Sequence, residues 1–218
     1  MEIMDFGNKK GFLYDGTAYS CEDMFRRITA QGKGDFADKR EKIESHVERT
    51  AEMCGAMADS LGLTEKQKRR VQNAAWLHDI GKSLKKKEKR KQHHLPENVC
   101  RAVSKALTDS GAERDQIEEF LLGSGKFQKL LEIIEAHKRR EDLPRKELWE
   151  SAVLRMCDKI DKYHKTSWEE ADEKYLKNLA DVTNQLKYAG IEEAHIQRFE
   201  AVCEEMRARV KQSVSQQG

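Results

Sequence analysis

Proline and glycine, the residues that most often break helices and make turns, are scarce: 2 and 13 of 218. So little turn chemistry excludes a fold of many short strands and favours long helices. No apolar run approaches the roughly 20 residues a membrane-spanning helix requires. The start, MEIMDFGNKKGFLYDG, has no basic segment followed by an apolar one, so it does not read as a secretory leader. A soluble protein of the cytoplasm is expected. Charge of one sign is also lacking, since 41 Lys and Arg face 39 Asp and Glu for a net +2. With a pI near 8.2, that is not the balance of a dedicated nucleic-acid binder. The five cysteines, Cys21, Cys54, Cys100, Cys157 and Cys203, include no CxxC spacing. That argues against a structural zinc site and for reduced residues among apolar helical positions.

What is present is charge and helical periodicity: 37% of residues are charged and 38% hydrophobic. Residues 1–37, with short apolar pieces such as GFLY and MFRRI between glycines, read as an irregular arm with one short helix. From Asp38, apolar residues recur at Ile43, Val47, Ala51, Cys54, Ala58 and Leu61 before Gly62, a helical stripe with His46 at its margin. Thr64 and Gln67 have the spacing of a capping box, opening a helix that ends in AAWLHDIGK. That helix delivers His78 and Asp79. A basic run, Lys85, Lys86, Lys87, Lys89, Arg90 and Lys91, leads to His93, His94 and a helix opened by Pro96. The run is either a solvated loop or a device that draws an anionic substrate towards the histidines. FQKLLEIIEAH ends in His137, and KELWESAVLRMCDKIDKYH places Asp158 beside an apolar face. Two further helices follow over residues 166–218, with apolar positions such as Leu176, Leu179, Ile196, Phe199 and Val202. They either pack on the core or pair two copies of the chain.

Four apolar helices thus each bring an ionisable group to a buried margin, which is costly unless the groups are paired or share an ion. Imidazole and carboxylate together suit Mn, Fe, Co, Ni or Zn. In order and wording, His46 in SHVERTAEMC, His78 and Asp79 in WLHDIGK, and Asp158 in LRMCDKIDKY resemble the HD phosphohydrolase superfamily over about residues 38–165.

That resemblance implies an all-α helical bundle carrying one or two divalent ions, with magnesium a further option. The implied reaction is hydrolysis of a phosphate ester or anhydride, with a nucleotide favoured. It makes His46, His78, Asp79 and Asp158 the metal ligands. Asp79 is in addition the residue that holds or deprotonates the attacking water, and Lys82 and Lys159 are the cations for substrate phosphate. His94, preferred over His93, and His137 stand where superfamily members that hydrolyse cyclic dinucleotides or dinucleotide polyphosphates carry ligands for a second ion. His137 reads equally as a histidine favoured by a helix C-terminus. The chain departs from the HD-GYP pattern, because Lys138 follows His137 and EDLP replaces the GYP element. Both departures speak against cyclic di-GMP as substrate. A regulator that binds a nucleotide without turnover is the alternative from another class.

Overall fold

In a computed structural model, residues 2–6, 9–14, 17–30, 39–84, 92–107, 117–119, 121–138 and 147–216 are described. Beyond residue 20, every regular element among them is helical. Among the described residues of 38–165 the fold is therefore all-α, as the periodicity predicts.

The arm departs from expectation. Instead of irregular chain it carries an antiparallel meander, β1 (Glu2–Phe6), β2 (Lys9–Tyr14) and β3 (Thr17–Ser20), with Ile3 opposite Phe12 and Leu13 opposite Ala18. The pieces between the arm's glycines are short, but adjacent segments satisfy each other's backbone groups, so even four residues suffice for a strand. α1 (Cys21–Ala30) follows directly, and its start is capped by Ser20 and Asp23, each bonding the other's backbone N–H. Cys21, Met24, Phe25 and Ile28 are buried, which makes this helix part of the main core.

α2 (Arg40–Leu61) and α3 (Glu65–Leu77) lie along each other. α2 stops where Gly62 takes φ 71°, a left-handed conformation that favours glycine. The capping box at Thr64 and Gln67 is formed as its spacing predicts. After α3 comes a single 3₁₀ turn, Ile80–Ser83. Gly81 is needed there for space: a Cβ would stand 2.8 Å from the Cα of His93.

α4 (Pro96–Leu107), α5 (Gly125–Ala136) and α6 (Leu148–Ile160) complete the layer around the site. α6 runs into a second 3₁₀ turn, Asp161–His164. All five cysteines are free and buried.

α7 (Trp168–Tyr188) and α8 (Glu193–Ser215) pack on this body. Ile196, Phe199 and Val202 are buried within the chain, whereas Leu176, read as part of the same apolar stripe, is 55% exposed. A polar knot ties the two helices to the turn after α6. Tyr163 donates its hydroxyl proton to Asp172, Arg207 bridges both, and Lys211 reaches the same carboxylate at 2.9 Å. Arg207 also lies over the ring of Tyr175.

Candidate metal centre

His46 is set on α2, His78 and Asp79 just past the end of α3, and Asp158 in the last turn of α6. Both carboxylates come close to the paired imidazole Nε2 atoms. Nε2 of His46 lies 3.3 Å from Nε2 of His78, 3.4 Å from Oδ2 of Asp79 and 3.3 Å from Oδ1 of Asp158. His78 Nε2 closes the group at 3.6 Å from Asp79 and 3.9 Å from Asp158. All four residues are at most 3% exposed.

Both imidazoles are held from behind. Nδ1 of His78 lies 2.6 Å from the Ala75 carbonyl, so it carries the proton and leaves Nε2 facing the cluster. Nδ1 of His46 lies 2.6 Å from Oδ2 of Asp161, which Arg49 also engages with two nitrogens. Such backing fixes ring orientation and tautomer in metal sites.

The electrostatics divide the two histidines. Burial opposes a charge on His46, but hydrogen bonds to Asp158, Asp161 and Asp79 outweigh it and raise its pKa to about 9. His78 is pulled down to about 4, chiefly by burial. Burial alone would raise the two carboxylates, yet His78 and Lys82 hold Asp79 well below its ordinary value, and Lys138 and Lys159 do the same for Asp158. The cluster thus sets two buried, ionised carboxylates against two imidazoles, of which His78 is neutral and His46 must give up a proton for its Nε2 to serve as a ligand. His46, His78 and Asp79 could hold a metal ion, their ligating atoms all lying within 4.8 Å of one another. The mixed nitrogen and oxygen donor set fits a divalent transition ion.

The remaining expected residues divide. Lys82 makes an ion pair with Asp79, and Lys159 lies 2.6 Å from Oδ2 of Asp158. His137 is buried at the end of α5, with its Nδ1 on the Ile134 carbonyl and its ring edge-on to His78, centroids 5.3 Å apart. Its Nε2 has no hydrogen-bond partner among the described residues. Of the adjacent pair it is His93, rather than the preferred His94, whose Nε2 comes to 3.1 Å from Oδ1 of Asp79; His94 meets the His93 ring edge-on. The close approach of the chain at Gly81 brings that about. The basic run 85–91 lies outside the described residues.

Two contributors take roles that sequence reasoning did not assign, Asp161 having been weighed only as the alternative to Asp158 as a ligand. Asp161 follows Asp158 by three positions, one helical turn, and that spacing was the available signal. Lys138, whose ammonium is 3.1 Å from Oδ2 of Asp158, had none beyond its place next to His137.

Residues 43–166, more than half of the chain, match the HD domain family. The chain belongs to that family, whose members are typically metal-dependent hydrolases. No curated protein and no solved structure matches the chain. No described helix is long and apolar enough to cross a membrane.

Proposed function

We propose that the chain is a metal-dependent phosphohydrolase acting on a small phosphorylated molecule, most naturally a nucleotide. The observation that carries this reading is the convergence of four buried residues from three separate elements: the Nε2 atoms of His46 and His78 lie 3.3 Å apart, and each lies 3.3–3.9 Å from a carboxylate oxygen of both Asp79 and Asp158. These residues would hold a divalent ion: Mn, Fe, Co, Ni or Zn, with Mg also accommodated by the carboxylates. When bound, such an ion supplies Lewis acidity, polarising a phosphoryl oxygen and acidifying water.

The chain's own groups supply the rest. Asp79 has one oxygen in the cluster and the other towards His93. A carboxylate so placed can orient a water and accept its proton. Lys82 and Lys159, at the margin of the same carboxylates, offer ammonium groups to the substrate's phosphate oxygens. Five buried free cysteines suit a reducing compartment, and we assign the protein to the cytoplasm.

A second reading, a two-ion site cleaving dinucleotide polyphosphates or cyclic dinucleotides, is favoured by one observation. The buried Nε2 of His137 has no hydrogen-bond partner among the described residues, one ring away from His78. Elemental analysis of the purified protein, followed by phosphate release from nucleotides and dinucleotides with each metal added back, tests both. Close to one equivalent with turnover supports the first reading and two equivalents the second. Metal without turnover on any substrate would leave a nucleotide-binding regulator, and no metal would overturn the site.

A further inference from the structure

Asp158 is surrounded asymmetrically. Its Oδ1 faces the imidazoles of His46 and His78, while its Oδ2 faces outward and receives two ammonium groups, Lys159 at 2.6 Å and Lys138 at 3.1 Å. One lysine would neutralise one carboxylate. Two on a single oxygen bring like charges together. Lys82 adds a third ammonium at Asp79.

The charge balance sharpens once an ion is counted. A divalent cation among the four donors would cancel Asp79 and Asp158, leaving three lysine charges uncompensated at the margins of the two carboxylates. These lysines are the more exposed part of the site: the side chains of Lys82, Lys138 and Lys159 are 37%, 25% and 16% exposed, against 1% for Asp79 and Asp158. A single phosphate monoester at the ion would meet Lys82 and still leave the Lys138–Lys159 pair facing each other. A ligand with a second phosphoryl group next to the first would bring its charge between them, where hydrogen bonds between ions are strongest.

We propose that Lys138 and Lys159 form the seat of a second phosphoryl group, adjacent to the one at His46, His78, Asp79 and Asp158. The substrate is then a diphosphate or longer phosphoanhydride rather than a single phosphate ester. This rests on the phosphohydrolase reading above and adds to it the chemical class of the substrate and one residue, Lys138. Lys138 and Lys159 act on the specificity of the site; Asp158 remains among the residues that hold the ion.

The test is calorimetric binding to the full chain loaded with Mn²⁺, using inorganic phosphate and the non-hydrolysable imidodiphosphate as probes. Imidodiphosphate is expected to bind at least about tenfold more tightly than phosphate, and Lys138→Gln and Lys159→Gln each to remove roughly tenfold of that preference, the worth of one charge-assisted hydrogen bond. In Lys138→Gln the phosphate and Mn²⁺ affinities should change little, and Lys138→Arg should retain the preference. Equal binding of the two probes by the unaltered protein, a comparison that needs no variant, would overturn the proposal. So would unchanged imidodiphosphate binding in the glutamine variants, or loss of Mn²⁺ from a folded Lys138→Gln protein, which would make Lys138 a support for Asp158. If the unaltered chain takes up no Mn²⁺, the metal reading itself fails and this proposal with it; Mn²⁺ uptake without a diphosphate preference sinks this proposal alone.

Discussion

Oδ2 of Asp161 lies 2.6 Å from Nδ1 of His46, and Arg49 donates to both oxygens of the same carboxylate. The relay runs from one 3₁₀ turn, through an imidazole on α2, to the centre of the donor cluster. Removing it leaves all four donors in place but frees the ring of His46. Asp161→Asn is therefore expected to weaken Mn²⁺ binding by about 10- to 100-fold with helix content unchanged. A metal titration alongside circular dichroism measures both, and unaltered affinity would show that packing alone orients His46.

Asp79→Ala removes a donor that contacts both histidines, whereas Lys82→Ala removes only a cation at the rim. The first should lose metal and turnover together. The second should keep the metal and raise KM about tenfold, with phosphate release as the readout. In the unaltered protein, Mn²⁺ at about 100 times its Kd should stabilise the fold by about 2.7 kcal/mol, and the Asp79 variant should gain nothing in the same melting experiment.

Gly81→Ala tests the close approach that brings His93 to Asp79. The added methyl would press on the backbone of His93, and backbone cannot yield as a side-chain tip does. A loss of about 1–3 kcal/mol in urea unfolding is expected. Mn²⁺ affinity should fall as well if the position of His93 matters to the site.

Asp172 carries a pH prediction. Partial burial opposes its charge, but hydrogen bonds from Tyr163, Lys211 and Arg207 outweigh this and lower its pKa to about 2 from an ordinary 3.8. A carboxylate that is more acidic when folded adds stability above its unfolded pKa and loses it as pH falls towards the folded one. Asp172→Asn should therefore cost roughly 1 kcal/mol near neutrality, a figure kept small because the side chain is partly solvated. Unfolding curves of variant and parent should converge between about pH 4 and pH 2. A pH-independent gap would assign the loss to packing.

That His46, His78, Asp79 and Asp158 sit at buried margins was legible because each lies at the edge of a long apolar stripe, and their reading as one set came from the resemblance to the HD superfamily. Thr64 with Gln67, and Pro96, were legible for a similar reason: capping is local chemistry. Asp161 and Lys138 were not, since each is an ordinary charged residue whose role is set by a side chain over a hundred positions away for Asp161 and twenty for Lys138. The choice between His93 and His94 depended on a backbone contact with Gly81 that no spacing rule encodes. The meander over residues 2–20 was missed because strands of four to six residues between glycines look like irregular chain until a neighbour pairs with them.

The knot of Tyr163, Asp172, Arg207 and Lys211 joins the last helix to the turn that carries Asp161. Such a tie is expected to make α8 and the donor cluster open to solvent as one cooperative unit. Occupancy of the site should then register in the amide hydrogen exchange of α8, slowing it around Arg207 although no residue of that helix reaches the ion.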